Sequence, residues 1–202
     1  MRSFRTTTSP FKKKEVYTDA DFESICTDAL KSADVYPTEP SPVRIERLIE
    51  KRFGIVPEFD NLNQYGAIGV TIFGSNGPTD IVIDTQLAEQ DKTTRSRYLS
   101  TLAHEAGHCL LHSHLFALHA RKGSVACPCR QKDGKYSGEW WEFQANRAIG
   151  SLLLPEFIFR EYLKNLGVRK LEDVTDDIVE SAADIFGVNK PVVRIRTTNF
   201  RF

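Results

Sequence analysis

Residues 101–112 read Thr-Leu-Ala-His-Glu-Ala-Gly-His-Cys-Leu-Leu-His, and this stretch carries the most specific pattern in the chain. Apolar side chains recur at helical spacing from Tyr98 onward, which predicts a long helix over residues 94–112. Residues four apart on a helix differ by about 40° in direction and about 6 Å in height. The imidazoles of His104 and His108 can therefore reach one metal ion from the same face of the helix.

The same stretch supplies a candidate base. Glu105 follows the first histidine, so its carboxylate can reach a water on the metal without binding the ion itself. Zinc suits two imidazoles and one carboxylate, with a fourth position open for water. We therefore predict one zinc ion (Zn2+) per chain, bound by His104 and His108, with Glu105 as the general base of a hydrolysis.

A third ligand is expected on a second predicted helix, which runs from about residue 140 to 154. Glu142 and Asn146 lie four residues apart on that helix and therefore on the same side of it. The carboxylate of Glu142 can bind the metal. The amide oxygen of Asn146 can then accept the other ring N–H of a ligating histidine, which fixes the tautomer of that ring. Glu139 is the alternative ligand, one turn earlier on a similar face.

Other polar residues near this pattern have weaker interpretations. His112 lies about 12 Å along the helix axis from His104, too far to share the ion, so we expect it to support the ligands. Tyr136, in the loop before Glu142, is a candidate hydrogen-bond donor to a tetrahedral intermediate. Cys127 and Cys129 could join a second zinc site, although two free thiols are the simpler interpretation.

The rest of the chain predicts an α+β fold, mostly helical, with a small β-sheet beside the active-site helix. Two strands are predicted at residues 67–73 and 80–84, joined by a run of turn-forming residues. Helices are predicted at 19–33, after Ser41-Pro42, and over 156–197, whereas 113–137 has no clean period. We expect a flexible basic arm at residues 1–18 and a single domain over 19–202.

Composition limits the classes of protein that the chain can be. Its 202 residues carry 27 basic and 27 acidic side chains, so the formal net charge is zero. This balance argues against direct binding of nucleic acid. No apolar run is long enough to span a membrane, and the basic N-terminal residues lack the apolar core of a signal peptide. We therefore expect a cytoplasmic protein with reduced cysteines.

Three motifs resemble those of one known family, the ImmA/IrrE metallopeptidases. Residues 101–112 look like the active-site helix of that family, and Glu142-Phe-Gln-Ala-Asn-Arg-Ala148, followed by Leu152-Leu-Leu-Pro155, resembles its second signature. A weaker likeness follows at residues 186–196, and the whole resemblance covers about residues 41–198. It implies a zincin-like fold, a zinc ion and cleavage of a helix-turn-helix transcriptional repressor in the cytoplasm.

Two functions from different classes are consistent with these residues. The first is a zinc-dependent endopeptidase that acts on a protein substrate, by resemblance a helix-turn-helix repressor. The second is a non-catalytic regulator that keeps the metallopeptidase fold and binds a partner. The full set of His104, His108, Glu142 and Glu105 favours the enzyme, since a regulator would not need the base.

Overall fold

The helix predicted around the two histidines forms, and it is the longest of the described elements. The computed structural model describes residues 15–88, 91–120, 125–130 and 139–199. Its helices and strands are α1 (Asp19–Ser32), α2 (Ile45–Phe53), β1 (Glu58–Asp60), β2 (Ala67–Gly74), β3 (Gly77–Asp84), α3 (Lys92–His119), β4 (Val125–Arg130), α4 (Trp140–Leu153), α5 (Glu156–Asn165), α6 (Asp176–Phe186) and α7 (Lys190–Thr198). The predicted α+β class, mostly helical with a small sheet, is confirmed.

The four described strands form one sheet in the order β1-β3-β2-β4. β2 and β3 make the predicted antiparallel hairpin, β1 pairs in parallel with β3, and β4 pairs antiparallel with β2. Side chains alternate between the two faces of a strand. In β2, Gly69, Thr71 and Phe73 face α3, whereas Val70 and Ile72 belong to a small apolar cluster on the other face.

Helix α3 lies beside this sheet, contacting β2 and β3, and it also contacts α4. Its first turn is capped by Asp91, whose carboxylate accepts hydrogen bonds from the backbone of Thr93 and Thr94. A Cβ atom on Gly107 would lie 3.0 Å from the Cβ of Ala148 and 3.2 Å from the backbone oxygen of Ala145. Glycine therefore lets α4 approach α3 closely at the level of the two histidines.

The largest buried apolar cluster draws on every described helix and on β3. Burial of each large apolar side chain in it contributes about 1.5–3 kcal/mol. A buried ion pair fastens α7 to α1, because the guanidinium of Arg196 binds both carboxylate oxygens of Glu23, at 2.5 and 2.9 Å. The same guanidinium donates through Nε to the carbonyl of Leu154, at the end of α4.

The structure differs from the sequence prediction at two places. The helix expected to start at Ser41-Pro42 begins at Ile45 instead, with no side-chain cap. Pro42 packs on the end of α6, since a Cβ on Gly187 would lie 3.3 Å from its ring. The stretch 113–137 was expected to be irregular, but α3 continues through it to His119 and 125–130 form β4.

The predicted arm falls partly outside the described residues, which begin at residue 15. Residues 15–18 contact α1, α3 and α4. The Tyr17 ring packs against Phe22, the Tyr17 hydroxyl lies 3.3 Å from the carbonyl oxygen of Leu111, and the carbonyl of Glu15 accepts from Nε2 of Gln144. Thr18 then caps α1. None of the described helices is both long enough and apolar enough to cross a bilayer.

Candidate metal centre

Three predicted ligands meet where α4 crosses α3. His104 and His108 lie in the middle of α3, and Glu142 lies in the first turn of α4. The two Nε2 atoms are 3.0 Å apart, and each is 3.3 Å from one carboxylate oxygen of Glu142. Both histidines are almost fully buried, and Glu142 is partly exposed. These three side chains are the one group with metal-binding geometry among the described residues.

Hydrogen-bond partners behind the rings assign the tautomer of each histidine. His104 Nδ1 lies 3.1 Å from Asn146 Oδ1, the contact that the sequence predicts, so Nδ1 carries the proton that the amide oxygen accepts. His108 Nδ1 lies 3.1 Å from Nδ1 of His112. His112 Nε2 lies 2.9 Å from the amide oxygen of Gln144, so its proton is on Nε2 and its Nδ1 accepts from His108.

Both tautomers leave a lone pair on the Nε2 atom that faces Glu142. Burial and the neighbouring His108 lower the pKa of His112 to about 3, which keeps that ring neutral. Burial also lowers the pKa of His108, against the opposing charge of Glu142. Burial alone would raise the pKa of Glu142, but His108 and His104 outweigh it and hold the pKa well below its usual range. Two ring nitrogens and a carboxylate therefore converge, as a cation site requires.

Glu105 lies fully buried between α3 and the sheet. Its Oε2 accepts a hydrogen bond of 2.6 Å from the Thr71 hydroxyl, whereas Oε1 has no hydrogen-bond partner among the described residues. A Cβ atom on Gly69 would lie 2.5 Å from that Oε1, so the side chain occupies space that only glycine leaves open. Burial raises the pKa of Glu105 to about 7, against the opposing effects of His104 and Thr71.

Other residues considered from the sequence have different positions. Glu139 directly precedes α4 and does not belong to the cluster of ligands. Tyr136 lies outside the described residues. Cys127 and Cys129 belong to the backbone of β4, paired with Thr71 and Gly69 of β2, but their side chains lie outside the described part.

Three residues of the site were missed by sequence reasoning. Thr71 interrupts an apolar strand with a hydroxyl, a signal that could have placed it opposite a buried polar group. Gly69 is two residues earlier on the same face, where close approach of another element is the usual reason for a strand glycine. Gln144 carries no comparable signal, because its role depends on where His112 lies in space.

No family model matches this chain, and no curated protein matches it. The positions of His104, His108, Glu142 and Glu105 are therefore described from their contacts alone.

Proposed function

We propose that this protein is a zinc-dependent endopeptidase with one zinc ion per chain. The observation that carries the proposal is the convergence of two Nε2 lone pairs and one carboxylate beside a buried, half-satisfied Glu105. A structural zinc site would use four protein ligands, whereas three ligands and a nearby base are typical of hydrolytic sites. His104, His108 and Glu142 are the proposed ligands, and Glu105 is the proposed base.

The donor set fits zinc in size and in chemistry. Ligand atoms at about 2.0–2.1 Å from a tetrahedral zinc ion lie about 3.3 Å from one another. The separations of 3.0, 3.3 and 3.3 Å between the three groups are close to that value. When bound, zinc polarises a substrate carbonyl and lowers the pKa of a water toward 7. The two imidazoles and the carboxylate orient the ion, and Asn146 and His112 orient the imidazoles.

Glu105 is arranged to move a proton. Its Oε2 stays hydrogen-bonded to Thr71, so the side chain is held in one orientation while Oε1 remains open. The same carboxylate can accept a proton from the attacking water and later donate it to the leaving amine. Because Glu105 is fully buried, bulk water does not reach its carboxylate.

The family, the finer fold and the substrate rest on resemblance. The motifs around residues 101–112 and 142–155 support a zincin-like fold and membership in the ImmA/IrrE metallopeptidases. By that resemblance the substrate is a helix-turn-helix transcriptional repressor, cleaved in the cytoplasm. The neutral charge of the chain suits a protein substrate better than direct binding of nucleic acid.

The test separates metal binding from chemistry. Glu105→Gln removes the base but none of the ligands, so the variant should bind one zinc per chain and cleave about 100-fold or more slowly. Zinc is measured by elemental analysis. Cleavage is measured on a peptide library by mass spectrometry of new N-termini, and on a purified helix-turn-helix repressor. Glu139→Gln is the matched control, which should keep both properties.

Two outcomes would change the assignment. Full cleavage by Glu105→Gln would remove Glu105 from the mechanism. A wild-type protein that holds one zinc but cleaves neither the library nor the repressor would favour the non-catalytic regulator.

A further inference from the structure

The segment before α1 is docked next to the metal centre. The carboxylate of Glu15 lies 2.9 Å from Nε2 of His114. The Tyr17 hydroxyl lies 3.2 Å from Oε2 of Glu15 and 3.3 Å from the carbonyl oxygen of Leu111. The contacts to His114 and Leu111 are both to α3, within two turns beyond His108. The backbone carbonyl of Glu15 also accepts a hydrogen bond of 2.7 Å from Nε2 of Gln144, on α4. Residues 15–18 therefore contact both helices that carry the proposed ligands.

The contact with Gln144 decides which way that amide points. A carbonyl oxygen can only accept, so the nitrogen of the Gln144 amide must face Glu15 and the oxygen must face His112. The proton of a neutral His112 is then on Nε2, where the amide oxygen accepts it. Nδ1 of His112 is left to accept from Nδ1 of His108. The chain of contacts ends with the lone pair of His108 on Nε2, the atom that faces Glu142.

We propose that residues 15–18 are a positioning element for the metal centre, which acts through Gln144 and His112 to fix the tautomer of His108. The proposal deepens the function proposed above and rests on it. His104 needs no such chain, because Asn146 contacts it directly. The chain of contacts from Glu15 through Gln144 and His112 therefore supports His108 only. The contacts of Glu15 and Tyr17 with α3 hold the end of this chain that is farthest from His108. Release of residues 15–18 from α3 lowers the affinity for zinc without removing a ligand.

The first experiment measures zinc affinity of the full chain by competition with a chelator. Gln144→Leu loses both amide contacts and should bind zinc about 10-fold or more weakly, as expected when a supporting hydrogen bond to a ligand is lost. Tyr17→Ala releases the segment from α3 but leaves Glu15, Gln144, His112 and His108 unchanged. It should therefore weaken zinc binding by several-fold. Val16→Ala is the control, because Val16 is 77% exposed, and it should match the wild type.

The second experiment reads the tautomers directly, in the metal-free protein, from imidazole 15N chemical shifts. The wild type should show His108 protonated on Nδ1 and His112 on Nε2, and both Gln144→Leu and Tyr17→Ala should show mixed tautomers. A purely structural role of Gln144 would leave the tautomers unchanged. Wild-type tautomers or wild-type zinc affinity in Tyr17→Ala would overturn the role of residues 15–18. Wild-type tautomers in Gln144→Leu would overturn the chain of contacts that leads to His108.

The two experiments separate this inference from the proposed function. If the wild type binds no zinc but has the stated tautomers, the proposed endopeptidase function fails. The inference that residues 15–18 fix the tautomer of His108 then still holds. If the wild type binds zinc and the tautomers differ from those stated, the positioning role of residues 15–18 fails alone.

Discussion

Individual side chains of the metal centre differ in how far their partners restrict them. Glu142 touches both histidines, and its two oxygens are divided between them. Glu105 has one restricted oxygen and one open oxygen, and Gly69 leaves the space for the open one. The proposed ligand and the proposed base are thus distinguished by their contacts, although both are glutamates close to His104.

Glu142→Gln should weaken zinc binding by about 10-fold or more, because a neutral amide is a poor zinc ligand. Glu139→Gln removes a carboxylate that lies outside the cluster and should leave the affinity nearly unchanged. Asn146→Ala should fall between the two, since it removes the support of His104 and not a ligand. Chelator competition measures all three. Loss of zinc by Glu139→Gln alone would show that the ligands are assigned wrongly.

Gly69→Ala should disturb the base and spare the ligands. The added Cβ atom would lie 2.5 Å from Oε1 of Glu105 and 2.7 Å from the methyl group of Thr101, so Glu105 must move. We expect a loss of about 1–3 kcal/mol in the free energy of unfolding, as overpacking usually costs. Peptide cleavage should fall while zinc binding stays.

Gly74→Ala is the control for that substitution, at the far end of the same strand. Its added Cβ atom would lie 3.0 Å from the methyl group of Thr79 and 3.9 Å from the backbone oxygen of Gly77, and it meets no atom of Glu105. Urea unfolding and zinc analysis of both variants check the expectation. A Gly69→Ala protein that cleaves peptides at the wild-type rate would show that the position of Glu105 is not critical.

The sequence predicted the inner part of this site and missed its outer part. Spacing on a helix places His104, His108, Glu142 and Asn146 on facing sides, and the structure brings these four together. Thr71 could not be located in the same way, because its contact with Glu105 depends on the register of β2 against α3. Long-range contacts of this kind follow from tertiary packing and not from periodicity.

At the scale of elements, one guanidinium joins α7 to two other helices, in addition to the burial of Val193 in the core. Arg196 binds Glu23 of α1 through two hydrogen bonds and reaches the last turn of α4 through a third. Ser151 of α4 donates to the same carboxylate. Three helices therefore meet at one buried charge pair, whose loss leaves Glu23 without its counter-charge.

Arg196→Met should lower the free energy of unfolding by about 3 kcal/mol, because it leaves a mostly buried carboxylate unpaired. Arg194→Met is the matched control on the same helix, since Arg194 pairs with Asp176 at an exposed site. The control should change stability by less than about 1 kcal/mol. Urea denaturation followed by circular dichroism measures both. Equal losses in the two variants would contradict a special role for Arg196.

The elements that the sequence mispredicted are those decided by tertiary contacts. Helix α3 continues past residue 112 because Phe116 is buried and stacks on Phe73 of β2, at 4.6 Å between ring centroids. Strand β4 contains Pro128, which argues against a strand within a sheet, but β4 lies at the edge, where proline is tolerated. The hairpin β2–β3 was predictable, because β-branched residues and turn formers there are local signals.

At the scale of the whole molecule, burial ties the stability of the fold to pH. Burial, with the nearby charge of Glu23, raises the pKa of the Cys26 thiol well above its ordinary value of 9.0. Burial and the charge of Glu46 raise the pKa of Tyr98 to about 12, from an ordinary value of 10.0. Both groups keep their protons in the folded chain at a pH where the unfolded chain releases them.

The contribution of these groups to the free energy of unfolding should therefore be constant below about pH 9. It should fall as the pH rises from about 9 to 12. Urea unfolding at pH 8, 9, 10 and 11 measures the trend. Tyr17, Tyr36 and Cys109 also have a raised pKa. Tyr98→Phe removes one of these groups, so its stability should fall less steeply above pH 10 than that of the wild type. Identical slopes in the two proteins would show that Tyr98 does not contribute.

The chain has two tryptophans, and both stand at the start of α4. Trp140 lies edge-on to the His112 ring, with 5.9 Å between centroids, and Trp141 is buried beside it. All intrinsic tryptophan emission therefore originates within one small region of the molecule. An unfolding curve recorded by tryptophan fluorescence reports unfolding around the start of α4. Far-ultraviolet circular dichroism instead averages over all the helices. A difference between the midpoints of the two curves would show that the start of α4 unfolds separately from the other helices.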